Sequence, residues 1–316
     1  MVLEEQILRF YLKVFSFFLI FFLYFFYIFS VKEINLKNNY FFIKKNENYK
    51  NIINKNIIDD KINLFIYKLT LRTLFFFNKE VHFGKFKLGN NPTYYEILKT
   101  ITQPSNSYNK ITIVEGWSKK NLNAILQKNF NDYLELDYDK IIADTYMFSE
   151  GASFFQFKKQ LDKRFLLVKN KFNEYPMSKK YSFDEILVIG SLLEKEGLDY
   201  NDKRKIYSVI MNRLKINMKL QIDATVIFSL TDGYKNLERN LTLNDLKIDS
   251  PYNTYKINGL PPNPISYVGH KTIELIFEDY KTDYLFYFYN SLENKHIFSF
   301  NYKDHLERLN EYRSKK

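Results

Sequence analysis

Apolar residues recur at helical spacing from Ser182 to Gly197, and both ends of this stretch carry helix-terminating signals. Ser182 followed by Glu185 is a capping-box signature, and Gly197 stands where a left-handed C-terminal residue is favoured. The spacing places four apolar side chains on one side of the predicted helix, namely Ile186, Ile189, Leu192 and Leu193. The pattern therefore predicts a helix with an apolar face that packs on a core.

Glu196 falls on the same side of this helix as the apolar residues, whereas Ser191, Glu194 and Lys195 fall on the opposite, more polar side. Burial disfavours the charged form of a carboxylate, so an inward Glu196 would have a raised pKa and could act as a general acid. The alternative is that residues 194–196 form a solvated last turn, since Glu is seldom fully buried. The helix alone leaves both interpretations open.

A second apolar stretch, Val14–Val31, carries no charge and is bounded by Lys13 and Lys32. Its length is about the minimum for crossing the hydrocarbon core, so we predict a transmembrane helix over residues 14–31. A cleaved signal peptide is the competing interpretation, but the stretch lacks a small-residue cleavage pattern. Basic residues occur on both sides of it, so charge does not fix the orientation.

The segment after the apolar stretch alternates between short extended and helical patterns. The predicted elements are a strand at Tyr40–Ile43, a helix at Glu47–Ile58, a strand at Gly84–Leu88 and a helix at Pro92–Ile101. The polar residues Gln103–Lys110 then resemble a linker. We therefore predict a small α/β module that ends near residue 108, followed at Ile111–Leu126 by a strand and a helix capped by Ser118.

Two further elements follow the capped helix. Asp202–Lys215 has helical spacing and is predicted to expose Asn212 and Arg213. Met218–Leu230 begins with alternating apolar and polar residues and is predicted to be extended, with Gln221, Asp223 and Thr225 pointing the same way.

The loop at Ser250–Ile265 adds Tyr252, Asn253 and Tyr255 to this polar set. Uncharged donors and acceptors beside a carboxylate and aromatic rings suit a polyhydroxylated ligand such as a sugar. The alternative is an ordinary polar strand face followed by a turn-rich loop.

Composition narrows the function classes. The chain has 316 residues, 46% of them hydrophobic, which is enough for one large or two modest folded domains. Its formal charge of +11 comes without a nucleic-acid recognition motif, so nucleic acid is not expected as a partner. With no Cys and four scattered His, the sequence predicts no disulfide, no metal site and no cofactor.

Several of these segments together resemble the endolytic murein transglycosylases, also called the MltG or YceG-like family. The motifs occur in family order along the chain: VEGWSKKNLNAIL, ADTYMF, EKEG, NRLKINMKLQIDATVIFSL, SPYNTYKINGLPPNPIS and HIFSFNYKDH. The resemblance implies an α+β protein with a cytoplasmic N-terminus (1–13), a single transmembrane helix (14–31), a LysM-like module (33–108) and a YceG-like catalytic domain (109–316) outside the inner membrane.

By the same resemblance, the chain would cut the β-1,4 bond between N-acetylmuramic acid (MurNAc) and N-acetylglucosamine (GlcNAc) within nascent peptidoglycan strands, leaving 1,6-anhydroMurNAc ends. Glu196 matches the catalytic Glu of the family. Five residues match family motifs as substrate-contacting or orienting groups, namely Gln221, Asp223, Thr225, Asn253 and Tyr255. Peptidoglycan synthases or penicillin-binding proteins are partners expected of the family.

The sequence departs from family motifs at Asp144, where Glu-Gly and Phe-Pro are missing nearby, and at Asn263, where Gly is common. His296 and His305 match family elements, but a lone His is more often structural than catalytic, so neither is given a role. Two rival hypotheses remain. One is an inactive wall-binding anchor, and the other is a hydrolytic muramidase with Asp223 or Glu194 as second carboxylate.

Overall fold

The structure, a computed structural model, describes residues 2–38, 40–44, 46–77 and 80–316, with side chains from Glu5 onward. The backbone forms two compact units. The first comprises residues up to Asn109 together with Met147–Ala152, and the second comprises Lys110–Tyr146 and Ser153–Lys316. Helices and short strands are mixed in both units, in agreement with the predicted α+β class.

The helices of the described residues are α1 Val2–Phe26, α2 Tyr49–Asn56, α3 Lys61–Phe76, α4 Tyr94–Ile101, α5 Lys119–Asn129, α6 Phe154–Phe172, α7 Phe183–Glu196, α8 Tyr200–Lys215, α9 Asp223–Thr231, α10 His270–Phe277 and α11 Tyr302–Lys315. The strands are β1 Asn35–Leu36, β2 Phe41–Ile43, β3 Ile57–Ile58, β4 Gly84–Phe86, β5 Tyr108–Thr112, β6 Ile142–Ala143, β7 Thr145–Ser149, β8 Val268–Gly269, β9 Phe286–Asn290 and β10 Lys295–Ser299.

The apolar N-terminal stretch is helical, as predicted, but its helix begins well before Val14. α1 runs into a π-helical turn at Tyr27–Val31, and Glu5–Val31 is long and apolar enough to cross a membrane. Its large side chains are exposed from Ile7 to Phe26, whereas Ile28 is buried in the core of the first unit. The helix is compatible with a single-pass membrane anchor whose last turn belongs to the folded module.

Beyond the anchor, the first unit is built around β2 and β4, which pair antiparallel, and around α2, α3 and α4. The predicted strands and helices at β2, α2, β4 and α4 are confirmed, and Thr93 and Glu96 form a capping box at α4. α3 was not predicted from the pattern of the sequence. The core of the unit contains Phe41, Ile52, Ile53, Tyr67, Phe86, Tyr94 and Ile97, all almost completely buried.

In the second unit, α7 packs against α8, α9, α10 and β8. The predicted helix and its capping box at Ser182 and Glu185 are confirmed. The conformation predicted for Gly197 is wrong, because its φ of −82° and ψ of 140° are extended rather than left-handed. Glycine is favoured there for another reason: a Cβ would lie 2.2 Å from Lys203 Cγ of α8.

The more polar side of α7 is partly buried, since Ser191 is fully buried and the Glu194 side chain is 1% exposed. Two other local predictions in the second unit are wrong. The stretch predicted to be extended beyond Gln221 is helical from Asp223 onward, as α9. Arg213 is buried, because its side chain bonds carbonyl oxygens inside the unit rather than facing solvent.

Candidate functional site

Glu196 occupies the last turn of α7, where the helix meets the start of α9 and the strand β9. The Tyr287 hydroxyl of β9 donates a hydrogen bond of 3.1 Å to Glu196 Oε2, and the Ala224 N–H in the first turn of α9 also bonds the carboxylate. The residue keeps part of its surface open to solvent. Its carboxylate is therefore positioned by the protein in a residue that is only partly buried.

Burial of the Glu196 carboxylate is the largest influence on its pKa, which it raises above the ordinary value of 4.5. The hydrogen bond from Tyr287 lowers this pKa, the negative charge of Asp223 raises it, and the charge of His296 lowers it. The net shift is upward. A carboxyl group in this setting holds its proton more readily than an exposed one, as a general acid requires.

His296 and Asp202 form a second layer behind Tyr287. His296 Nδ1 lies 2.8 Å from Asp202 Oδ2, and the His296 side chain is 6% exposed. The imidazole ring packs edge-on against the ring of Tyr287, with centroids 5.4 Å apart. Burial would raise the pKa of Asp202, but the bond and charge of His296 and the Leu198 N–H outweigh it and lower that pKa. The pair thus fixes the ring that holds Glu196.

Asn212 and Arg213 of α8 hold the chain segment that leads into β9. The Asn212 amide donates to the Thr282 carbonyl at 2.7 Å and to the Tyr284 carbonyl at 2.9 Å. Arg213 Nε donates to the Leu285 carbonyl at 2.7 Å, and Arg213 Nη1 donates to the Leu220 carbonyl at 2.6 Å. Arg213 therefore connects the strand that carries Tyr287 with the segment that enters α9.

Of the five residues predicted beside Glu196, Asp223 and Tyr255 are brought together directly. The Tyr255 hydroxyl donates to Asp223 Oδ1 at 2.6 Å, and Asp223 is exposed at the first position of α9. Gln221 is exposed and has a φ of 51°, an uncommon left-handed conformation for a residue other than glycine. Its N–H bonds the Thr254 carbonyl, so this turn directs the chain into α9.

Thr225 and Asn253 are fully buried, and their side chains are bonded to the protein itself. The Thr225 hydroxyl bonds the Ile222 carbonyl and the Thr254 hydroxyl. The Asn253 amide donates to the Leu246 and Ile248 carbonyls and accepts from the Tyr255 N–H. Neither side chain reaches the surface, so both shape the loop around Tyr255 and neither can touch a ligand in this conformation.

Glu194, considered above as a second carboxylate, is held on another side of α7. It forms a salt bridge with Lys203 of α8 and accepts a hydrogen bond of 3.1 Å from the Gly269 N–H. Residues two positions apart on a helix point in nearly opposite directions. Glu194 is therefore committed to joining α7, α8 and β8.

Two cavities lie along α9, and the lining of neither includes Glu196 itself. One, of about 290 Å³, is lined among others by Lys195, Ala224, Phe228, Lys235 and Arg239. The other, of about 270 Å³, is also lined by Phe228 and includes Lys119, Tyr138, Tyr252 and Asn263. Ala224 lines the first cavity, and its N–H bonds the Glu196 carboxylate. We call the two cavities together the α9 groove.

The sequence pattern did not predict Tyr287, Asp202 or the buried role of Arg213 in the site. Tyr287 lies in an aromatic run, LFYFY, in which no periodicity singles it out, and His296 was recognised only by its motif. Among the described residues, no group of three or more His, Asp or Glu side chains could hold a metal ion.

Comparisons with known proteins place this arrangement in a family. Residues 41–311 match the YceG-like family. A protein of Bacillus subtilis named endolytic murein transglycosylase is 41% identical over 137 residues, which are 43% of this chain and 37% of that protein. A Streptococcus pneumoniae protein of the same name is 35% identical over 133 residues, which are 40% of this chain and 23% of that protein.

The chain thus matches well under half of the length of these curated relatives. Its fold is similar to the crystal structure of a yceG-like protein from Listeria monocytogenes, with a TM-score of 0.55 and 23% identity, over 86% of this chain and 99% of that one. The match at residues 41–311 covers most of the sequence, from β2 of the first unit to α11. The chain belongs to the YceG-like family.

Proposed function

We propose that the protein is a membrane-anchored endolytic transglycosylase that cleaves the MurNAc–GlcNAc β-1,4 bond within nascent glycan strands and so terminates their elongation. The observation that carries the proposal is the Glu196 carboxyl group, whose pKa burial raises, held beside a groove by Tyr287 and the Ala224 N–H. The family and the names of the relatives agree with this reaction.

In the first step, protonated Glu196 donates its proton to the glycosidic oxygen and the bond from C1 of MurNAc to that oxygen breaks. The carboxylate that remains is stabilised by the Tyr287 hydroxyl and by the Ala224 N–H at the positive end of α9. Asp223, exposed at the same helix terminus, would stabilise positive charge that develops on C1 in this proposal.

In the second step, the C6 hydroxyl of MurNAc loses its proton to Glu196 and its oxygen bonds to C1, which closes the 1,6-anhydro ring. No water is consumed, and Glu196 ends in its starting protonation state. One carboxyl group therefore serves as acid and then as base, and the attacking hydroxyl is already part of the substrate. A two-carboxylate hydrolase would need a second residue to activate water.

The α9 groove is the glycan-binding surface in this proposal. Phe228, Tyr138 and Tyr252 supply aromatic faces that suit sugar rings, and Asn263 supplies an amide. Gln221 and Tyr255 border the reacting bond, while Thr225 and Asn253 orient the loop that carries Tyr255. Lys195, Lys235 and Arg239 are cations that suit anionic stem peptides.

The first unit is proposed to be a LysM-like glycan-binding module. A cavity of about 240 Å³ in that unit is lined by four asparagines, Asn35, Asn38, Asn90 and Asn91. Their amides can both donate to and accept from sugar hydroxyls. With α1 in the inner membrane and the N-terminus in the cytoplasm, both units would lie outside the membrane, beside the peptidoglycan synthases and penicillin-binding proteins that we propose as partners.

The test is mass spectrometry of uncrosslinked glycan strands incubated with the full-length protein in detergent micelles, beside Glu196→Gln. We expect anhydroMurNAc ends from the wild type and none from the variant. Reducing MurNAc ends would identify a muramidase instead. Strand binding without cleavage by the wild type would identify a wall-binding anchor.

A further inference from the structure

The helix α3 is apolar on both its inner and its outer side. Asn63, Tyr67 and Leu71 face the core of the first unit. The outer side carries a stripe of exposed apolar residues, Ile62 (65% exposed), Phe65 (65%), Leu69 (49%) and Phe76 (80%), which we call the α3 stripe. A stripe of exposed apolar side chains on the outer side of a helix marks a surface that contacts protein or lipid. The α3 stripe is therefore expected to contact an apolar surface other than the core of its own unit.

The start of α3 is attached to the end of the anchor. The Tyr24 hydroxyl of α1 lies 3.3 Å from Asn63 Oδ1, and Lys32 forms a salt bridge of 2.7 Å with Asp59, just before α3. The Tyr67 hydroxyl donates to the same Asp59 at 3.1 Å. These bonds hold the α3 stripe next to the point where the exposed apolar surface of α1 ends.

The length of the anchor brings the surface of the bilayer to this point. The exposed part of α1, Ile7–Phe26, spans about 30 Å at 1.5 Å per residue. A hydrocarbon core is also about 30 Å thick, and Ile28 is already buried in the core of the module. The boundary of the bilayer would thus lie where α1 enters the module, next to the start of the α3 stripe.

We infer that α3 lies on the lipid bilayer with the α3 stripe in the acyl-chain boundary. Lys61, Lys68 and Arg72 lie along the same helix, where they can extend to anionic headgroups. Nearby, Asp59 is neutralised by Lys32, and Asp60 accepts the Asn63 N–H at the positive end of the helix. This inference rests on the proposed anchoring by α1 and adds a second membrane contact to it.

The test uses single cysteines, since the chain has none of its own. Full-length Phe65→Cys and Leu69→Cys are labelled with an environment-sensitive fluorophore and reconstituted in phosphatidylglycerol and phosphatidylethanolamine vesicles that contain nitroxide-labelled lipids. Asn51→Cys, on the exposed side of α2 in the same unit, is the matched control. Phe18→Cys in α1 reports on anchoring.

We expect lipid nitroxides to quench the labels at positions 65 and 69 several-fold more than the label at position 51. Quenching at position 18 alone would overturn the inference about α3 and leave the anchor in place. No quenching at any position would overturn the anchoring itself. Disulfide-linked dimers of Leu69→Cys at high lipid dilution would show that a second copy, rather than lipid, covers the stripe. Thermal melting that matches the wild type shows that each labelled protein is folded.

Discussion

The Tyr287 hydroxyl and the Glu196 carboxylate are joined by a hydrogen bond of 3.1 Å, although the two residues are 91 positions apart in the chain. The bond comes from a ring that is itself packed against His296. The hydrogen bond lowers the pKa of Glu196, whereas burial and the negative charge of Asp223 raise it. The readiness of Glu196 to give up a proton is thus set by neighbours with opposite influences.

Substitution of these neighbours is expected to move the pH profile of cleavage in opposite directions. Tyr287→Phe removes a bond that lowers the pKa of Glu196, so the high-pH limb of kcat/KM should move to higher pH. Asp223→Asn removes a charge that raises this pKa, so the limb should move to lower pH. Cleavage rates measured between pH 4 and 9 check both shifts.

Both variants are expected to be slower than wild type as well, so the position of the limb, and not the rate, is the informative quantity. A limb that moves the same way in both variants would contradict this account of the Glu196 environment. Tyr289→Phe, on the same strand but exposed, is the control that should leave the profile unchanged.

The stability of the folded protein should also depend on the ionisation of Glu196. Because the folded state raises the pKa of Glu196 above 4.5, the protonated form favours folding, and this contribution is lost as pH rises through the raised value. Glu196→Gln never ionises, so its melting temperature should exceed that of the wild type by a margin that grows with pH. Each 1 kcal/mol corresponds to about 2–4 °C.

Thermal melts at pH 4 and pH 8 give the comparison. Equal margins at both values would show that Glu196 ionises in the folded protein as easily as in the unfolded chain.

The salt bridge between Glu194 and Lys203 is expected to be structural. Removing one partner of a buried pair costs about 3–5 kcal/mol, and Glu194→Ala also frees the Gly269 N–H from its acceptor. The exposed pair Lys158 and Asp162 is the matched control, and Asp162→Ala should cost less than about 1 kcal/mol. Urea unfolding of both variants measures the difference, and similar costs would refute the buried role of Glu194.

Asn212 is expected to stabilise the site through the segment before β9. Asn212→Ala removes two hydrogen bonds to the Thr282 and Tyr284 carbonyls, at a cost of about 1–3 kcal/mol, and loosens the strand that carries Tyr287. We therefore expect kcat to fall more than KM rises. Asn201→Ala, exposed on the same helix, is the control. An Asn212 variant with wild-type kcat would show that the segment does not position Tyr287.

Local signals in the sequence predicted the helices that begin with recognisable capping residues. α7 begins at Ser182 with the predicted capping box, and the position of Glu196 on its inner side followed from helical spacing. α3 was missed because its outer side is as apolar as its inner side, so no amphipathic periodicity marks it. α9 was predicted as extended because short alternation at Leu220–Ala224 is ambiguous, and tertiary packing decided in favour of a helix.

The surroundings of Glu196 could not be predicted because they depend on contacts between distant segments. Tyr287 and Asp202 carry no local signal, and the burial of Arg213 results from its bonds to Leu220 and Leu285. Thr225 and Asn253 were identified as part of the site from the polar pattern and from the family motifs, and only the structure shows that their hydrogen bonds are made within the protein.

The separation of Glu196 from Tyr287 along the chain also determines when the proposed site can first be completed. A polypeptide that has been synthesised or exported only as far as α10 contains the acid but not the hairpin of β9 and β10 that carries Tyr287 and His296. Such an intermediate would have a carboxyl group without the partners that adjust its acidity. If the proposed reaction is the one that the protein performs, full activity would begin only after the last part of the second unit has folded, and an unfinished chain would not cut glycan strands.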